Sequence, residues 1–175
     1  LGVAGTLSIT NCNVENKGDY TALYSGGKMT LTGGSITAEA ENSAIMSRSA
    51  MTITNATVKA TAQKYNALRA SDVMKIDDGN DGRMEIGGGV ELYVKGYKGI
   101  SVGEGATIED AHIVIDSDDR SIDMPVKFAE GYDIALALGG DSMESAEPFD
   151  WYSMEPFTPG AGKQPGSFPY LELLS

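Results

Sequence analysis

The sequence predicts an all-β fold: a right-handed parallel β-helix, a solenoid of about five to six rungs with about 22 residues per rung. Three observations predict it. The segment Leu7-Ser8-Ile9-Thr10-Asn11-Cys12-Asn13-Val14 recurs as Met29-Thr30-Leu31-Thr32-Gly33-Gly34-Ser35-Ile36 and again as Met51-Thr52-Ile53-Thr54-Asn55-Ala56-Thr57-Val58, each time 22 residues on. Apolar and polar residues alternate strictly at the start of each copy, the period of a strand with one buried face. Asn11, Gly33 and Asn55 then occupy one repeated position, and Asn and Gly are the residues that tolerate positive φ at a sharp corner. A unit this short cannot bury its apolar face alone and must stack on its copies.

Each rung is expected to hold three short strands. The first carries Leu7 and Ile9, or their equivalents, inward, with Ser8 and Thr10, Thr30 and Thr32, and Thr52 and Thr54 on the wet face. After the corner come a small residue (Cys12, Gly34, Ala56) and an inward β-branched one (Val14, Ile36, Val58). Cys12 is expected in this buried column as an inert thiol. A polar loop leads to the third strand, Ala22-Leu23, Ala44-Ile45 or Ala67-Leu68. Stacking would form columns such as Leu7/Met29/Met51 and Ile9/Leu31/Ile53, about 4.8 Å apart.

Further corners are expected at Gly88 and Asp110, reached by steps of 33 and 22 residues. The excess places an insertion at 71–83. Strict spacing puts Glu91 where Val58 stood, so Val90 or Leu92 must take over by a local slip. A weaker sixth copy is expected over Phe128 to Leu138, with Gly131 at its corner and Ile134 inward. The β-helix therefore spans 1–138. Residues 139–175 hold five of the six prolines and the only Trp. Proline cannot donate to a ladder, so an irregular aromatic cap is expected there. The first rung has no comparable cap, and an open strand edge invites pairing with another chain; an edge-to-edge homo-oligomer is one expectation.

With 175 residues, a net charge of −12 and a pI near 4.4, a nucleic-acid partner is disfavoured. No apolar run approaches the ~20 residues of a membrane span, and membrane insertion is not expected. A single cysteine excludes an intramolecular disulfide. The chain opens on Leu1 with neither Met nor a signal peptide, which reads as a mature or trimmed form.

The wording Ala22-Leu23-Tyr24-Ser25-Gly26-Gly27-Lys28-Met29-Thr30-Leu31-Thr32-Gly33-Gly34-Ser35-Ile36 resembles the right-handed β-helix of the pectin-lyase-like superfamily. It is similar in particular to repetitive secreted or surface proteins of anaerobic gut bacteria, some labelled carbohydrate-binding. The resemblance covers roughly residues 6 to 138. It implies an extracellular or cell-surface location and either a binder or an enzyme, since such families contain lyases, hydrolases and non-catalytic modules. A leucine-rich repeat shares the spacing Leu7-x-Ile9-x-x-Cys12-x-Val14, but Gly34 and Ala56 cannot cap backbone groups where that fold needs Asn or Cys.

Four groups of residues are candidates for chemistry. Asp77, Asp78, Asn80 and Asp81 are the densest oxygen cluster and a candidate calcium site, competing with a plain polar turn. Asp116, Asp118 and Asp119 form a second acidic stretch, expected to be a loop. The hydroxyl array of Thr30, Thr32, Thr52 and Thr54 offers a flat face to a carbohydrate, and Trp151 with Tyr152 offers a stacking platform; the competing readings are a wet strand face and a solenoid cap. A calcium-assisted lyase would add a basic side chain, with Arg69 and Arg83 nearest the acidic cluster and Arg48 one rung from Arg69. His112, the sole histidine, is expected on the solvated surface. The favoured function is a non-catalytic secreted or surface module binding carbohydrate or another extracellular partner. A polysaccharide lyase or glycoside hydrolase and a ligand-free structural spacer are the alternatives.

Overall fold

Alternating residues, corners of Gly and Asn and short polar loops produce a parallel β-solenoid of about 5 turns. The computed structural model describes residues 1–71, 82–123, 126–154 and 165–175. Its strands are β1 (Gly2–Val3), β2 (Leu7–Gly18), β3 (Thr21–Ser25), β4 (Met29–Ala40), β5 (Ser43–Ser47), β6 (Met51–Thr54), β7 (Thr57–Ala62), β8 (Asn66–Ala70), β9 (Arg83–Gly87), β10 (Val90–Val102), β11 (Gly105–Ile108), β12 (Ala111–Ile122), β13 (Val126–Phe128), β14 (Leu136–Gly140), β15 (Glu147–Pro148) and β16 (Tyr170–Leu174). Long strands such as β2, β4, β10 and β12 bend through a corner and serve two faces.

Three parallel faces enclose the core. On the first, Leu7, Met29, Met51, Met84, Ala106 and Val126 stack in register, as do Ile9, Leu31, Ile53, Ile86, Ile108 and Phe128. On the second, Val14, Ile36, Val58, Leu92 and Ile113 form the inward column. On the third it is Leu23, Ile45, Leu68, Ile100 and Ile122. Leu23, Leu31, Ile36, Ile45, Ile53, Val58 and Leu68 are fully buried, each stabilising the stack by roughly 1.5–3 kcal/mol. The slip expected in the fourth rung is resolved by Leu92, which pairs with Val58 and leaves Glu91 outward against Thr57.

All six expected corners are left-handed: Asn11 (φ 51°), Gly33 (64°), Asn55 (52°), Gly88 (68°), Asp110 (39°) and Gly131 (87°). The third corner of a rung uses a device the sequence pattern hides. Ser25 and Ser47 point inward and are fully buried. The Ser25 hydroxyl lies 2.7 Å from the Gly5 carbonyl and 2.8 Å from that of Lys28, and Ser47 lies 2.8 Å from Gly27 and 3.0 Å from Ala50. Carbonyls turned out of the ladder by the bend thus find donors inside the stack.

Several expectations need correction. Cys12 is exposed, with Sγ 3.1 Å from the Thr10 carbonyl. It follows the Asn11 corner on the outermost rung, and its registered partner Gly34 faces solvent too. Asp116, Asp118 and Asp119 lie within β12 rather than a loop, and Asp116 pairs with Lys95 at 2.7 Å. The sixth copy is a rung on the first face only. Beyond Gly131 the chain leads to β14, which pairs with β16 rather than with β12, and Ile134 is partly buried against the core. Within the C-terminal cap, β16 pairs antiparallel with β12 on one side and β14 on the other. Leu171 and Leu173 seal the last turn, and the Ser117 and Ser121 N–H groups donate to the Pro169 and Phe168 carbonyls.

Candidate functional site

The third face carries a groove of about 560 Å³ that runs parallel to the solenoid axis. Its walls follow from strand register. One wall is the column at the corner before the third strand: Tyr20, Asn42 and Tyr65, tied by Ser43 N–H to the Tyr20 carbonyl (3.2 Å) and Tyr65 N–H to the Asn42 carbonyl (3.2 Å). The other wall is the outward column Tyr24/Met46/Arg69, with Arg48 beside it. Between them the floor is Thr21 and Ser43, registered on each other. The two residues that follow each floor position, Ala22-Leu23 and Ala44-Ile45, turn inward and are fully buried, so small hydroxyl side chains are left at the bottom of the cleft.

Tyr20 is 72% exposed and Tyr65 58%. The two rings stand on one ridge with their surfaces open to solvent. Arg69 donates from Nε to Ser71 Oγ at 3.0 Å. Its charge also reaches Asp123, whose carboxyl is pushed up by burial against the opposing pull of Ser101, Lys98, Arg120 and Arg69. Among the described residues, those lining the groove include two guanidinium groups, in a chain of net charge −12.

Arg48 and Arg69 thus share the groove on neighbouring rungs but not in register: Arg69 pairs with Met46, two residues before Arg48. Arg83 is on another face, in an ion pair with Glu104. The three arginines do not form one catalytic set.

The hydroxyl array is in register: Ser8, Thr30 and Thr52 form one file and Thr10, Thr32 and Thr54 the next. It runs into Glu85, opposite Thr52, and Gly87, opposite Thr54. Thr52, Thr54, Thr107, Glu85 and Glu109 line a cleft of about 240 Å³ there. Trp151 is 9% exposed, edge-on to Phe128 at 6.0 Å and stacked with Phe149 at 6.2 Å, so its ring faces are spent on the end of the solenoid. Tyr152 is exposed, and its hydroxyl donates to Asp133. Asp77, Asp78, Asn80 and Asp81 lie outside the described residues. Among the described residues, no cluster of three or more His, Cys, Asp or Glu is arranged to hold a metal ion, and no helix is long and apolar enough to cross a membrane.

His112 points outward as expected but is not simply solvated. Its Nδ1 lies 2.9 Å from Glu91 Oε2 and its Nε2 2.9 Å from Glu172 Oε1. Burial opposes the imidazolium, yet hydrogen bonds and charge from Glu172 and Glu91 outweigh it and raise the pKa above the ordinary histidine value. Tyr93 donates to Glu91 (3.2 Å) and Tyr170 to Glu172 (3.0 Å), so five side chains form one chain of contacts across β10, β12 and β16.

The tyrosine ridge was missed in the sequence because it lies off the aligned first strand. Aligning instead on the third strand, Ala22-Leu23 and Ala67-Leu68, places Tyr20 and Tyr65 two residues before the alanine each time. No protein-family model matches the chain, and no curated protein or solved structure matches it either. Its class is therefore the one its own geometry defines, a parallel β-solenoid with a groove along one face.

Proposed function

We propose that this protein is a non-catalytic binding module for carbohydrate, acting outside the cell or at its surface, and that the groove between Tyr20/Tyr65 and Tyr24/Met46/Arg69 is its site. The observation that carries this reading is the pair of exposed tyrosine rings beside hydroxyl, amide and guanidinium groups in one cleft. Aromatic faces take up the C–H faces of sugar rings, while Thr21, Ser43, Asn42, Arg48 and Arg69 offer donors to hydroxyls or a carboxylate. The volume falls within the range of small-ligand sites. The Thr30, Thr32, Thr52 and Thr54 face remains a secondary contact surface in this proposal. The resemblance to pectin-lyase-like repeats agrees with it at the level of architecture. Binding to a panel of immobilised neutral and acidic polysaccharides, with calcium and with chelator, tests it. Retention that Tyr65→Ala abolishes supports the reading, and no retention on any glycan refutes it.

A second reading, polysaccharide hydrolysis, has one observation behind it: Glu85 and Glu109 line the same cleft, and glycoside hydrolysis uses two carboxylates. New reducing ends in the same assay, lost in Glu85→Gln, would displace the binding module. The unpaired edge of β2, bonded only to β4, makes edge-to-edge self-association part of the proposal; sedimentation across a concentration series reads it directly.

A further inference from the structure

Resting on the carbohydrate reading of the groove, we infer that the ligand is an extended β-1,4-linked glycan lying along the solenoid axis, with alternate sugar rings seated on Tyr20 and Tyr65. The groove is bounded by two ridges that both follow the stacking direction, so a linear ligand can enter only parallel to the axis. Tyr20 and Tyr65 belong to rungs one and three of the same ridge, with Asn42 on the rung between. Two rung spacings are about 9.5 Å, which is about the length of a disaccharide in an extended β-1,4 chain. A ring stacked on Tyr20 therefore places the second ring along over Tyr65. The intervening sugar, turned over relative to its neighbours, lies beside the Asn42 amide and over the Thr21 and Ser43 hydroxyls. An α-1,4-glucan coils and cannot keep this register over two rungs. The ridge also continues: Tyr97, 45% exposed, follows Tyr65 on the next rung, where the Lys98 N–H reaches the Tyr65 carbonyl. A chain longer than a disaccharide gains contacts on this side.

The geometry assigns each groove element a part. The tyrosines supply flat faces at a fixed repeat. Arg69, on the opposite wall, presents a planar donor group to the equatorial hydroxyls that edge a β-linked ribbon. Rigidity comes from the ladder, so the ring spacing is set before the ligand arrives and little ordering cost is added on binding.

Calorimetric titration with cellohexaose, cellobiose, chitohexaose and maltohexaose tests the inference, with far-UV circular dichroism checking that each variant keeps its strand content. Cellohexaose or chitohexaose is expected to bind at least about tenfold more tightly than cellobiose, and maltohexaose at least about tenfold more weakly than either. Tyr20→Ala and Tyr65→Ala are each expected to weaken the hexasaccharide about tenfold. Both rings are exposed, so folding is not at issue. Together the two substitutions should shrink the advantage of the hexasaccharide over the disaccharide. Equal affinity for maltohexaose, or affinity independent of chain length, overturns the axial β-linked chain while leaving a carbohydrate site in place. Absence of binding to all four sugars and to the polysaccharide panel overturns both.

Discussion

The contact of His112 with two carboxylates makes the closed end of the solenoid sensitive to pH. Glu91 comes from β10, His112 from β12 and Glu172 from β16, so the imidazolium ties the antiparallel closing strand to the last full rungs. Both ring nitrogens donate only when the ring is charged; the neutral ring turns a lone pair toward one carboxylate. The folded pKa is raised, so the stabilisation is fully present below the unfolded value near 6.5 and is lost as pH rises through the folded value. A hydrogen bond to a charged group contributes about 1.5–3 kcal/mol. Here His112 and Glu172 keep about a quarter of their side-chain surface exposed, 27% and 23%, and Glu91 keeps 47%. Screening of the Glu91 contact reduces the pair to about 1–2 kcal/mol in total. For a domain of this size that is a fall in melting temperature of about 2–8 °C between about pH 6 and about pH 9. Tyr170, pushed up to about 12 by burial and by Glu172, stays a protonated donor throughout. Calorimetric melts across this range, compared with His112→Gln, measure the effect. The variant should have a flatter profile, and amide protection at Leu171 and Leu173, relative to the intrinsic exchange rate at each pH, should fall with pH in the natural chain alone. An unchanged melting temperature across the range, or the same slope in the variant, refutes the clamp.

Other perturbations separate the devices that hold the stack. Ser47→Ala removes a fully buried hydroxyl that serves the Gly27 and Ala50 carbonyls; urea unfolding should show a loss of about 1–3 kcal/mol. Gly34→Ala (φ 76°) drives a Cβ into the Cys12 backbone carbonyl, whereas Gly131→Ala (φ 87°) meets nothing within 4 Å. The second should lose only the strain of a left-handed alanine, about 1–2 kcal/mol, and the first clearly more; the reverse order in urea midpoints would contradict the corner geometry. Ile53→Ala, at the centre of the first-face column and 0% exposed, should cost about 2–5 kcal/mol, read from the same unfolding curves.

Most of the solenoid was legible because the residues that fix it are few and recur. Gly and Asn at the corners, with alternation before them, gave the register of the first two faces as far as Asp110. The rest was illegible for definite reasons. The third face steps by 22, then 23, then 32 residues between Leu23, Ile45, Leu68 and Ile100, so the tyrosine ridge does not align with the repeat that announces the fold. Ser25 and Ser47 look like ordinary loop serines, since nothing local says that their hydroxyls turn inward. Tyr170-Leu171-Glu172-Leu173-Leu174 reads as a strand, but its alternation does not name a partner or a direction. The contact of Glu172 with His112 joins residues 60 apart. Among the proposed sugar contacts, Trp151 was ambiguous because a stacking platform and an end cap use the same residue types.

The antiparallel closure also sets an order of assembly. Rungs close on their neighbours through 20 to 34 residues, as Leu92 meets Val58 across 34 and Lys17 meets Glu39 across 22. β16 instead returns across 60 residues to reach β12. Loop entropy adds only about 0.9 kcal/mol for that difference, so distance is not the main obstacle. The obstacle is that β16 has no ladder to join until β12, the edge of the finished rungs, is in place. The stack can therefore extend one rung at a time from any nucleus, while its end strand waits for a finished platform. The same strand, held by two short ladders and the His112 contacts, is the first segment expected to leave when the molecule begins to open.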